Sequence, residues 1–218
     1  MFGWETLTQG GYTMAGIFLA SVLALTEILY CLYLLRRRVV LPEALVDVAE
    51  GRGPDAEPGA AEAACRRTGG PFGEVLLSVL ATRRLPREDA EDLVEGAGSR
   101  ASHTLSRGVQ FLELVAAVAP LLGLLGTVIG MYDTFAGISE AGVKHMETLP
   151  EGIRKALITT ITGLMVAIPS YIFFMHFTRR VEDLTIEMER YAVRMMVRLR
   201  QGGNEAQGSS GSKGGGHA

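Results

Sequence analysis

Cysteine is scarce in this chain, with two in 218 residues. Cys31 falls inside an apolar run and Cys65 in a polar loop, which suits neither a disulfide scaffold nor a metal-ligand spacing, so both are expected to be free thiols. The four histidines, His103, His145, His176 and His217, make no H-x-x-x-H or H-E-x-x-H pattern. A metal site therefore has no support, and neither a metal nor a cofactor is expected. Net charge is also small, at −3, and the basic residues sit beside apolar runs instead of forming a patch of their own. That argues against a nucleic-acid partner. An internal repeat and a pair of interrupted apolar segments around a midplane site are missing too, which disfavours a substrate transporter.

What the chain has is apolar residues, 48% of it, gathered in clumps. The first thirteen residues hold no Lys or Arg, and the apolar run 14–35 ends in Arg36, Arg37 and Arg38. By the positive-inside rule the N-terminus lies outside the cell and the following loop in the cytoplasm. A cleaved signal peptide carries its charges first, so this run is read as a retained span. At about 22 residues it makes ~33 Å of helix, enough to cross the hydrocarbon. Glu27 lies within it, either as an ion ligand or, the commoner case, facing a neighbouring helix or the inner interface.

Residues 36–107 form a large loop whose eleven arginines mark it as cytoplasmic. GRGPDAEPG breaks it, and Phe72, Val75, Leu76, Val79 and Leu80 follow the spacing of an amphipathic helix. Pro86, followed by Arg87, Glu88 and Asp89, reads as the start of a helix that runs on into the second span. That span occupies 108–139, a short outer loop 140–153, and the third span 154–176, ending at Arg179 and Arg180. Phe177, Val181, Leu184, Met188, Tyr191, Met195 and Leu199 then continue a helical stripe over 177–201, expected to pack on the long helix before the second span. The Gly/Ser-rich tail 202–218 reads as a flexible end. The fold class is thus all-α, with three membrane spans and long helices extending into the cytoplasm.

Within the second span Gly123, Thr127, Gly130, Thr134 and Gly137 recur at steps of four and three on one helical face. In the third, Ala156, Thr160, Gly163 and Ala167 do the same, and two such faces can meet. Small residues and hydroxyls serve either close helix packing or the lining of a narrow water-filled path. Pro120 is compatible with a membrane helix, where neighbours satisfy the freed carbonyl. Thr159 and Thr162 fall on other faces and are expected to bond back to their own helix. No strong acid lies mid-depth in either helix, whereas ion translocation ordinarily needs one.

The stretch GLLGTVIGMYDTFAGI, preceded by an AP pair, and ALITTITGLMVAIP after a short loop, resemble the signatures of the MotA/TolQ/ExbB family of ion-channel subunits. The resemblance covers roughly 14–200 and implies a ring, pentameric in that family, around the single-span helices of a dimeric ExbD/TolR/MotB-like partner whose aspartate carries the ion. Thr127 and Thr160 match the family's pore threonines. The pore-lining face is then Gly123, Gly130, Thr134, Ala156, Gly163 and Ala167, with Glu113 and Asp133 as vestibule acids or as interfacial residues. One departure stands out, since Arg154 and Lys155 occupy the place where members close to ExbB and TolQ carry a glutamate. The implied function is a stator or motor subunit of the bacterial inner membrane, not an enzyme. It would convert the proton gradient into mechanical work on an envelope process such as TonB-dependent or Tol-type transport. A sodium-driven or gliding-type motor and a passive scaffold are the alternatives.

Overall fold

The computed structural model describes residues 11–52, 57–141 and 149–211, and every element among them is helical. In chain order they are α1 (Gly11–Leu34), α2 (Arg37–Val40), α3 (Glu43–Glu50), α4 (Pro58–Thr68), α5 (Gly70–Ala81), a 3₁₀ turn (Thr82–Arg84), α6 (Arg87–Ala141) and α7 (Leu149–Gly211). Three helices are long and apolar enough to cross a membrane, at Tyr12–Leu34, Glu88–Gly137 and Leu149–Gln201. The protein is an all-α, multi-pass membrane protein. Pro120 and Pro169 sit inside α6 and α7 without ending them.

Several boundaries differ from the sequence reading. The weak helix formers at 96–102 leave α6 unbroken. Within the stretch 140–153, expected as a short outer loop, α6 holds to Ala141 and α7 opens at Leu149, and 142–148 lie outside the described residues. Backbone helix also continues past Gly202 to Gly211, where a flexible end was expected, while 212–218, like 1–10, lie outside the described residues. Hydrogen bonds carried forward from a long preceding helix outweigh the low propensity of Gly and Ser, since propagation costs far less than nucleation.

The chain divides into two compact units. The first holds residues up to Leu32 together with Gly108–Thr178. In it α1 buries Met14, Ile17, Ala24, Ile28 and Cys31, one stripe at steps of three, four and seven. Its other faces, among them Phe18, Leu19, Val22, Leu25 and Leu29, stay uncovered, as a surface turned to lipid requires. Glu27 faces α6, because a methyl added at Gly108 would collide with its carboxylate, and its recorded donor is the Cys31 thiol at 3.8 Å. The bland expectation for Glu27, a neighbouring helix, is what the fold realises.

The second unit holds Tyr33–Arg107 and the chain from Arg179. Its core gathers Leu41, Leu45 and Val48 from the α2–α3 segment, Cys65 from α4, and Phe72, Val75, Leu76 and Val79 from α5. Val94, Ala97 and Ala101 of α6 and Leu184, Met188, Tyr191 and Met195 of α7 complete it. Cys65 is thus not in a loop but buried on a helix, and burial, with Glu62 adding, pushes its thiol up to about 11. Arg37 closes a fork onto Glu187, with Nη2 2.6 Å from Oε1 and Nε 3.1 and 3.2 Å from Oε1 and Oε2. These hydrogen bonds hold the Glu187 carboxyl below the usual glutamate range. Arg198 donates to the carbonyl of Val48 in the last turn of α3, where a cation suits the helix dipole.

Candidate functional site: a threonine pair at a glycine crossing

Helices α6 and α7 run antiparallel within the first unit and touch along the two small-residue stripes. Their backbones come close at Gly123 and Gly163. A methyl built on Gly163 would lie 2.6 Å from the Ala119 carbonyl oxygen and 3.1 Å from the Gly123 Cα. One built on Gly123 would lie 3.0 Å from both the Thr159 carbonyl and the Thr160 Cα. Only glycine allows backbones to come this near, which is how small residues join membrane helices in place of a hydrophobic driving force. Toward the C-terminal end of α6 Gly130 meets Ala156, with a methyl there 3.1 Å from the Ala156 Cβ, and Gly152 meets Thr134.

This contact puts Thr127 beside Thr160. Their hydroxyl oxygens are 2.5 Å apart, and both side chains are half-buried. Each also reaches the Gly123 carbonyl, at 3.0 Å from Thr127 and 3.0 Å from Thr160. The structure thus brings these two expected residues together, with the Gly123 carbonyl between them, a partner that spacing alone did not name.

Other expected residues are placed less uniformly. Gly123, Ala156, Gly163 and Ala167 are buried, and the contacts just given place the first three between helices of one chain. Gly130 is half-buried, and Thr134 is half-buried with its hydroxyl bonded back to the Gly130 carbonyl at 2.6 Å. Nothing described lies within 4 Å of a methyl at Gly137, so the stripe loses contact there. Glu113 and Asp133 are exposed, and Arg154 is paired loosely with Glu151 at 3.6 Å.

Thr159 bonds back to its own helix as expected, donating to the Ala156 carbonyl at 2.6 Å, but it does not face elsewhere: it is buried at 2% exposure, with its oxygen 3.2 Å from the Gly123 carbonyl. It fills the notch left by Gly126, where a methyl would lie 2.7 Å from the Thr159 hydroxyl and 2.9 Å from that of Thr13. Gly126 follows Gly123 by three and precedes Gly130 by four, so the spacing that found the stripe also marks this position. A helix 100° per residue puts Thr159 and Thr160 on adjoining sectors, and a wide contact takes in both. Thr162 bonds back to Ile158 at 2.8 Å, as expected.

Chemically, the crossing is a patch of hydroxyls and one carbonyl in an apolar surround. No Asp or Glu occurs on α6 between Glu113 and Asp133, nor on α7 between Glu151 and Glu182. The site can accept or relay hydrogen bonds but has no titratable group of its own.

Comparison with known proteins gives this arrangement a lineage. Residues 70–190 match the MotA/TolQ/ExbB proton channel family. A putative biopolymer transport protein ExbB homolog of Methanothermobacter thermautotrophicus is 32% identical over 186 residues, covering 82% of this chain and 64% of that protein. A putative biopolymer transport protein ExbB-like 1 of Synechocystis is 33% identical over 174 residues, 78% and 68% of the two chains. The Tol-Pal system protein TolQ of Pseudomonas aeruginosa is 34% identical over 109 residues, 47% of each. The aligned part spans about half to two thirds of the length of these relatives. The matched region takes in both glycine stripes and the threonine pair, and the chain belongs to the MotA/TolQ/ExbB proton channel family.

Proposed function

We propose that this chain is the ring-forming subunit of an ion-driven motor in the bacterial inner membrane, with its N-terminus outside and its C-terminus in the cytoplasm. Five copies surround the single-span helices of a dimeric ExbD/TolR/MotB-like partner. Proton flow through the ring is converted into mechanical work on an envelope process, and the chain itself breaks no bonds. Relatives named for biopolymer transport and for the Tol-Pal system support that class of process. A potential of 100 mV is worth ~2.3 kcal/mol per unit charge, so a few ions per stroke supply useful work.

The observation that carries the reading is the Thr127–Thr160 pair: two hydroxyls 2.5 Å apart at mid-span, with no acid on either helix at that depth. A polar site without a charge carrier is half of an ion path, and a partner's carboxylate is the missing half. The passive-scaffold alternative draws on the burial of Gly123, Ala156 and Gly163, which packing alone accounts for. Ion flux separates the two. The chain is reconstituted with a single-span ExbD/TolR/MotB-like partner, and gradient-driven flux is measured for wild type, Thr127→Val with Thr160→Val, and Thr160→Ser. Loss of flux in the double Val variant, with assembly intact and the Ser variant active, is the expected outcome. An assembled double Val variant that conducts normally returns the pair to packing.

A further inference from the structure

Counting hydrogens at the crossing assigns the site a polarity. A carbonyl oxygen has two lone pairs, and that of Gly123 already takes the helical N–H of Thr127 on one of them. Three hydroxyls approach the other, those of Thr127 and Thr160 at 3.0 Å and that of Thr159 at 3.2 Å. Thr159 has a nearer acceptor in the Ala156 carbonyl at 2.6 Å, so its single hydrogen goes there. Two hydrogens remain, with two places for them: the second lone pair of Gly123, and the 2.5 Å gap between the Thr127 and Thr160 oxygens. If Thr127 donates to Gly123, Thr160 donates to Thr127; if Thr160 donates to Gly123, Thr127 donates to Thr160. Both arrangements use every hydrogen and leave a hydroxyl oxygen with unused lone pairs.

We infer that the Thr127–Thr160 pair presents hydrogen-bond acceptors and no donor to its surroundings, and so takes the neutral, protonated form of a carboxylic acid in preference to the carboxylate. This rests on the proposed ion path and names what the pair selects there. A COOH group gives its hydrogen to the free lone pair. A carboxylate has none to give, and meets lone pairs with lone pairs until one hydroxyl turns and breaks its bond within the chain. The pair thus holds the loaded carrier and releases the unloaded one, and the two interchangeable arrangements let either threonine be the acceptor. Thr159 is a positioning residue: seated in the Gly126 notch, it holds α7 against α6 in the register that closes the pair.

No charged side chain of this chain imposes the polarity. Among the described side chains of the first unit, the charged groups on the elements packed at the crossing are Glu27 on α1, Glu113 and Asp133 on α6, and Glu151, Arg154 and Lys155 on α7. Lys155, five residues from Thr160, and Asp133, six from Thr127, are about 7 to 9 Å away along their helices.

The test is infrared titration of the partner's carboxyl in the reconstituted complex, following the C=O band of the protonated acid against pH. Wild type is compared with the double variant Thr127→Val, Thr160→Val and with Thr127→Ser, Thr160→Ser. Removing the acceptor pair should move the midpoint down by about one unit, a tenfold rise in acid dissociation, and the Ser variant should restore it. Replacing hydroxyls by methyls makes the site less polar, which by itself moves the midpoint up, so a downward shift has no other source at this site. An upward shift or no shift overturns the inference. Flux read on the same wild-type samples keeps the two questions apart: a wild-type complex that does not conduct refutes the motor function, whatever the sign of the titration.

Discussion

Replacing Gly163 by Ala tests the crossing with a single methyl. That carbon would sit 2.6 Å from the Ala119 carbonyl oxygen, 3.1 Å from the Gly123 Cα and 3.3 Å from the Gly123 nitrogen. Non-bonded carbons settle at about 3.5–4.0 Å, and all three neighbours are backbone atoms that cannot swing aside, so the helices must part by roughly 1 Å. Overpacking of this kind costs about 1–3 kcal/mol. Alanine also gains up to ~1 kcal/mol over glycine in a helix, which would mask part of the loss. Gly137→Ala supplies the control, because its methyl meets nothing described within 4 Å and carries the propensity gain alone. The difference between the two variants is then the overpacking cost itself. Thermal unfolding of both in one detergent should put Gly163→Ala below Gly137→Ala by about 1–3 kcal/mol. The same 1 Å would stretch the 2.5 Å Thr127–Thr160 contact to the limit of a hydrogen bond, so flux should fall with it. Gly163→Ala unfolding at or above the control refutes the close crossing.

Three further outcomes are expected. Glu187 is held below the usual glutamate range by the Arg37 fork, so its contribution is complete above about pH 5 and is lost as pH falls through the lowered value, below about pH 4. Both side chains are partly exposed, so the contribution is only about 0.5 kcal/mol, and Glu187→Gln should flatten the acid limb of melting temperature against pH without moving the neutral plateau by more than that. Cys65, buried and pushed up to about 11, should resist maleimide at neutral pH until the protein is unfolded, whereas a Thr68→Cys thiol at an exposed position should label at once in detergent and, if the loop is cytoplasmic, stay unlabelled by an impermeant reagent in intact cells. Arg198→Met should lose about 1 kcal/mol in thermal unfolding, since the Val48 carbonyl loses a charged donor that is itself partly solvated; an unchanged melting temperature would mean water caps α3 equally well.

Much of the fold was legible because membrane helices leave strong local marks. An apolar run bounded by Arg36, Arg37 and Arg38 announces a span, and Pro86 followed by Glu88 and Asp89 announces the start of α6. Phe72, Val75, Leu76, Val79 and Leu80 showed their face by spacing; the first four are buried and Leu80 is half-buried. Cys65 was misread because its neighbours Glu62, Arg66 and Arg67 are polar, and helical burial is decided by the face a residue occupies more than by the company it keeps in sequence. The end of α7 was misread for a related reason: composition reports the propensity of a segment in isolation, while the preceding long helix had already met the cost of nucleation.

At the site the division is sharper. Sequence alone determined which residues could meet, since steps of three and four place Gly123, Thr127 and Gly130 on one face of α6 and Ala156, Thr160 and Gly163 on one face of α7. It also determined that neither of these two helices carries an acid at that depth. Only the tertiary structure decided the register, because periodicity fixes a direction around a helix axis and says nothing about how far one helix slides along another. One turn of sliding, about 5.4 Å, would leave both stripes facing and carry Thr127 away from Thr160. The fit of Gly163 under the Ala119 carbonyl and of Thr159 into the Gly126 notch selects the register in which the two hydroxyls share the Gly123 carbonyl.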